Sequence, residues 1–429
     1  LRDVLGEEGF WRSIGKYTNE NKLKNVETSD LKKTIEMTTG QNLDWFFKQW
    51  LYEPGFPNYD VSWNYNQRKK ELSIHVKQTQ DLKTTSLFKM PIKIIVDNGE
   101  KKEHVIWVDN LDSVYKIKSD KRPKMVIFNS GQRVPSNLKM QKSVADLKYQ
   151  LQNASNALDR IWAAHELSKK KGRKVVEYAL MEAAKRDLFW AVRSEAYSAL
   201  GRLKTNIVSE DIEWVKRKEV DNRVKRSFVR ILKNQKNNLE VSKFLEDIII
   251  SDTSYYAISE SIRTLAIVDT AKAKPHVDKL LNTESHNDVI RKSTLSYFSQ
   301  VKTTSNYMRL KELAKYGNFS WPSRPTIIYE LSKYQKKRPS TFDFILSFFD
   351  DNDRFVRMAV IAQVGNYGSE SNYSLLDIMV EKDPVLSINA SRAKSKIENR
   401  KNSTSKRSDS KTVEFLDKKL KAIKNILND

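Results

Sequence analysis

The chain has no cysteine among its 429 residues, only five histidines, and no run of about eighteen apolar residues. Without cysteine there is no disulfide framework, no thiolate nucleophile and no cysteine-ligated zinc or iron–sulfur site. That composition fits either the cytoplasm or a bacterial periplasm. Without a long apolar run, no helix is expected to span a membrane, and no signal peptide opens the sequence. The five histidines are His75, His104, His165, His276 and His286. A two-histidine zinc helix needs His-Glu-x-x-His, so that ligands at i and i+4 reach one ion beside a general-base glutamate. His165-Glu166-Leu167-Ser168-Lys169 comes nearest, but Lys169 stands where the second ligand must be. No phosphate-cradling glycine loop and no nucleophile-elbow serine motif is present. Each histidine is therefore expected to be a packing or surface residue, and no complete active site is expected.

Aromatic content is high: 9 Trp, 17 Tyr and 17 Phe, with 39% hydrophobic residues, enough for packed cores. The length suggests about two to four domains. Net charge is +23. Such a charge can mark a nucleic-acid or anionic surface. Here the basic residues are spread along the chain among Asp and Glu, with no RNA-binding signature, which disfavours nucleic acid and suggests a solvated lysine-rich face.

Leu43 to Pro57, LDWFFKQWLYEPGFP, is the densest stretch. Leu43, Phe46, Phe47, Trp50 and Leu51 fall on one helical stripe, Asn42 can cap it, and Pro54, Gly55 and Pro57 stop it. Each aromatic can bury about 150–250 Å², so a helix wedged between other elements is predicted. From Phe56 the hydrophobic period becomes two. Alternating runs at 59–65, 72–76, 91–96, 104–108, 114–117 and 124–128, with Asn98-Gly99 as a hairpin signal, predict an antiparallel β-sandwich over 57–130. Residues 131–143 read as a connector.

From Ser143 the period is 3.6. Arg160, Arg193 and Arg226 are 33 residues apart, as are Arg291, Arg324 and Arg357, with room between the two sets for one repeat lacking the arginine, near Ile258. Asp187, Asp221, Asp252, Asp288, Asp353 and Asp383 supply turn signals before helices. Ankyrin shares the period but not the turn motif. The phrases around Arg193 and Arg357 resemble the second helix of HEAT repeats, so seven or eight stacked helix pairs forming an α-solenoid are expected over 144–400. A flexible linker (401–411) and a terminal helix (412–429) follow. Asp350-Asp351 reads as a turn between helices, and Trp190 and Trp321 as core residues opening helices.

The run Asn42-Leu43-Asp44-Trp45-Phe46-Phe47-Lys48-Gln49-Trp50-Leu51-Tyr52-Glu53-Pro54-Gly55-Phe56-Pro57 resembles the end of the catalytic domain in aminopeptidase-N-like zinc metallopeptidases (gluzincins). Leu1 to Asn42 looks like the helical tail after that family's catalytic tyrosine. The resemblance implies a multidomain, mainly α chain: a catalytic domain's helical end (1–56), a β-sandwich, and a HEAT-like cap. It implies a longer parent protein whose N-terminal catalytic domain, the partner of this region, holds zinc and hydrolyses N-terminal peptide bonds. This segment would then shape and cover the peptide cleft. Under that implication Arg291, Arg324 and Arg357 are candidates to face the peptide substrate and attract its carboxylate; the alternative is that they join neighbouring repeats. A second reading of the whole chain is a non-catalytic HEAT scaffold that binds an acidic protein or nucleic acid.

Overall fold

The computed structural model describes residues 1–402. The terminal helix expected over 412–429, and the linker expected over 401–411 from residue 403 on, lie outside the described residues. The chain divides into two compact units, Leu1–Thr205 and the part from Asn206 onward. It is mainly helical, with small mixed and antiparallel sheets.

The first unit opens with α1 (Arg2–Glu20) and α2 (Thr28–Thr39). Asp30 sits in the first turn of α2 and accepts the Glu27 amide at 2.9 Å. Gly40 ends the helix at φ +70°, where a side chain would be strained. Leu5, Ile35, Leu43 and Phe47 make a small buried cluster there. Next comes α3 (Asp44–Phe47), capped by Asn42 Oδ1, which accepts the Asp44 amide at 3.0 Å. The predicted helix then departs from α geometry: Lys48–Tyr52 forms a π turn, with the Glu53 amide donating to Lys48 O at 2.9 Å. The widened turn rotates the later residues. Leu51, expected on the buried stripe, is 57% exposed, and Gln49 takes the inward place. Its side chain reads the Lys89 backbone, accepting the amide at 2.8 Å and donating to the carbonyl at 3.4 Å. Trp45, Phe46 and Trp50 pack on the sheet core, and Phe46 also touches the helical cluster, which wedges this segment between two cores.

Seven strands follow: β1 (Asn58–Asn66), β2 (Glu71–Gln78), β3 (Met90–Asp97), β4 (Lys101–Val108), β5 (Asp112–Lys118), β6 (Met125–Phe128) and β7 (Asn137–Met140). They form a four-stranded sheet, β5-β2-β1-β7, and a three-stranded sheet, β4-β3-β6. One cluster joins their buried faces, with Val61, Leu72 and Ile74 from the first and Ile92, Ile94 and Phe128 from the second. Asp97–Lys101 closes the β3–β4 hairpin, where Gly99 has φ +116°. The expectation of a purely antiparallel arrangement needs correction. β7 lies within the segment read as connector and pairs with β1 in parallel, because the chain crosses from the second sheet to the free edge of the first.

Four helices complete the unit: α4 (Val144–Asn153), α5 (Ala157–Leu167), α6 (Lys174–Arg186) and α7 (Trp190–Leu203). Side chains bind the first two to the sheets. Tyr149 donates to Asp97 at 3.2 Å, Lys101 to Asn153 O at 2.6 Å, and Ser130 to Asp159 at 2.6 Å. These bonds explain why the compact unit runs past Ser143 into the helical region.

The second unit is helical throughout its described part. α8 (Ser209–Lys218), α9 (Asn222–Ile231), α10 (Leu239–Ser251), α11 (Tyr255–Val268) and α12 (Thr270–Leu281) are followed by α13 (Val289–Thr294), α14 (Ser296–Gln300), α15 (Thr304–Ala314), α16 (Arg324–Ser332), α17 (Ser340–Leu346), α18 (Arg354–Tyr367) and α19 (Tyr373–Lys382), with helix again over 387–402. Neighbours in sequence pack together (α10 with α11, α15 with α16), and alternate helices stack, α9 on α11, α11 on α13 and α16 on α18. Their cores are small aliphatic surfaces such as Val224, Ile262, Ile327 and Val360.

Candidate functional site

The three arginines expected to face a peptide are bound within the second unit. Arg324 is 2% exposed. It grips Asp351 with two N–H bonds of 2.9 and 2.6 Å and donates two more to Ala314 O. Burial pushes the Asp351 carboxyl up, but bonds from Arg324 and the Asp353 amide outweigh this and hold it below its ordinary value. Arg357 donates to Asp383 at 2.6 Å, a carboxylate shared with Arg354, and to Asp351 O at 2.6 Å. Arg291 donates to Leu281 O at 2.9 Å and to Asp288 at 3.1 Å. Arg291 and Arg324 thus each join the end of a preceding helix to an aspartate, and Arg357 joins the turn before its own helix to Asp383. A peptide carboxylate approaching these arginines would compete with Asp288, Asp351 or Asp383. The first unit repeats the pattern: Arg160 grips Asp187 at 2.7 and 3.0 Å and reaches back to Ala154 O at 2.9 Å. The repeat near Ile258 uses other residues, Glu260 taking Arg230 at 2.9 Å and Arg263 reaching Ser293 at 3.0 Å. The aspartates also cap: Asp187, Asp252 and Asp351 each accept the amide two residues on.

The histidines are dispersed. His75 meets Asp112, His165 lies 3.4 Å from Glu195, His276 lies 3.5 Å from Glu246, and His286 pairs with Asn287. His104 sits opposite Ile94 in β4. Lys169, in the would-be ligand position, pairs with Glu166 at 2.6 Å. Among the described residues no three His, Cys, Asp or Glu side chains gather as metal ligands. Trp321, expected in the core, is 64% exposed. It lies in the 3-10 turn before α16, ahead of the buried helix face.

The first unit holds a site that sequence reading missed. A cavity of about 190 Å³ lies where β6, β7, α4 and α5 meet, lined in part by Phe128, Asn129, Leu138, Lys142, Asp159 and Trp162. Lys142 is 7% exposed. Its Nζ donates to Val126 O at 2.5 Å and to Gln150 Oε1, and lies 5.3 Å from the centre of the Trp162 ring. The Gln150 amide is oriented by its other end, where Nε2 donates to Asp159 O at 2.8 Å. Burial lowers the Lys142 ammonium to about 7, against the attraction of Asp146 and Asp159. Asp159 is 4% exposed and moves the opposite way. Burial raises its carboxyl although Ser130 Oγ and the Gly131 amide donate to it. Both groups are pushed toward neutrality. Beside them Asn129, Gly131 and Gln132 hold φ of +55°, +74° and +49°, with Asn129 clamped by both backbone groups of Val134. The sequence carried one signal for it: Leu138, Met140 and Lys142 alternate, which puts Lys142 on the inward parity of β7.

A scan against protein-family models finds no match. Among solved structures, the chain is similar to the aminopeptidase A of Legionella pneumophila determined in complex with aspartic acid, with a TM-score of 0.66 and 15% identity. The alignment covers 93% of this chain and 55% of that one, so this chain spans about half the length of that aminopeptidase. At this identity the likeness is one of fold.

Proposed function

We propose that this chain is the C-terminal region of a zinc-dependent aminopeptidase, comprising the helical end of the catalytic domain, a β-sandwich and a HEAT-like α-solenoid that shapes and covers the peptide cleft. The observation that carries this reading is the fold likeness to an aminopeptidase over 93% of the chain. The Asn42–Pro57 run adds the placement, since it resembles the end of a gluzincin catalytic domain. On this reading zinc and the hydrolytic step belong to a preceding catalytic domain. The chain's own contribution is mechanical: the π turn and its aromatics anchor the segment on the sheets, and the arginine–aspartate pairs stiffen the helical stack.

Reading the coding sequence upstream of Leu1 tests the proposal. An in-frame His-Glu-x-x-His, a later glutamate ligand and a tyrosine shortly before Leu1 are expected. An upstream region without those ligands would leave the scaffold reading.

A further inference from the structure

We propose that the Lys142 amine, in the cavity between β6, β7, α4 and α5, is a covalent capture site for a small aldehyde or ketone, which it holds as an imine. This inference stands apart from the aminopeptidase reading and uses only the first unit. A neutral amine has two N–H bonds and one lone pair, whereas an ammonium has three N–H bonds. Val126 O and Gln150 Oε1 accept two. Among the described residues no carboxylate is bonded to Nζ, and the charged groups that act on it are Asp159 on α5 and Asp146 at the start of α4. Lys142 lines the cavity, and its Nζ lies 5.3 Å from the centre of the Trp162 ring. Burial removes the usual obstacle to lysine nucleophilicity, its proton, close to neutral pH.

The chemistry balances without a further reactant. The Nζ lone pair adds to the carbonyl carbon and a C–N bond forms. The carbonyl oxygen takes both amine protons and leaves as water, which leaves a C=N bond. Apolar walls from Phe128, Leu138 and Trp162 suit a small organic body and limit the water that would hydrolyse the imine.

The test is reductive trapping on the intact chain. Acetaldehyde at limiting concentration with cyanoborohydride, followed by peptide mass mapping, reads the ethylation rate of every lysine. At pH 7 Lys142 is expected to react about tenfold faster than the median lysine, since its neutral fraction is far larger than that of an ordinary lysine. Its rate should fall as pH drops below about 7. The preference should vanish in urea, which separates the cavity from local sequence. Gln150→Glu places a carboxylate beside the amine, and should move the labelling midpoint upward. A native Lys142 rate equal to or below the median, or a preference that persists in urea, would overturn the proposal.

Discussion

Two buried cations illustrate opposite fates of charge in this chain. Arg324 keeps its charge because Asp351 and two carbonyl bonds replace the lost water. Removing one partner strands the other, at about 3–5 kcal/mol for a buried pair. Arg324→Met should therefore lower urea stability by that order, and Arg324→Met with Asp351→Asn should recover part of it. Because the folded Asp351 carboxyl titrates below its unfolded value near 3.8, its contribution is full above that pH and is lost as pH falls through the folded value. Lys142 lies on the other side of the balance, since among the described residues its bonds go to Val126 O and Gln150 Oε1 and not to a carboxylate. Its folded value of about 7 is below the unfolded 10.5, so between those two pH values the unfolded chain binds the extra proton and stability rises with pH. Urea unfolding of the first unit from pH 7 to 9 should show that rise, and Lys142→Met should flatten it and raise stability at pH 7. A slope unchanged in the variant would contradict the assignment. Sequence periodicity exposed the arginine ladder but not its partners, because Asp187, Asp351 and Asp383 lie 26 or 27 residues beyond their arginines while Asp288 lies three residues before Arg291. Lys142 was passed over because an ionisable residue just beyond a short strand normally points to water.

At the scale of elements, helices and strands were legible where one periodicity ran long enough. The π turn was not, because Leu43 to Leu51 fits an ideal helical stripe, and the Glu53–Lys48 backbone bond and the Gln49–Lys89 pairing that mark the wider turn form only in the fold. Gln49→Leu should leave the Lys89 amide and carbonyl unsatisfied, at about 1–3 kcal/mol, and should raise amide exchange at Lys89. An unchanged exchange rate would show that the turn does not depend on that side chain. β7 was illegible for a different reason: four residues are too few for alternation to stand out, and its partner β1 lies about 79 residues earlier in the chain. The 130–132 turn and Asp159 were likewise joined only by the fold.

On the scale of the whole molecule, the fold likeness spans nearly all of this chain but only 55% of the solved aminopeptidase. The mainly helical, multidomain character could be read from the change of period after Pro57. The cavity at Lys142 could not, since it needs four elements to meet. The most direct test is to express the chain joined to its upstream coding region and to measure zinc content with hydrolysis of aminoacyl-arylamides. The account predicts about one zinc per chain, activity abolished by chelation and restored by zinc, and none from residues 1–429 alone. A full-length protein that binds no zinc and releases no amino acid would contradict it.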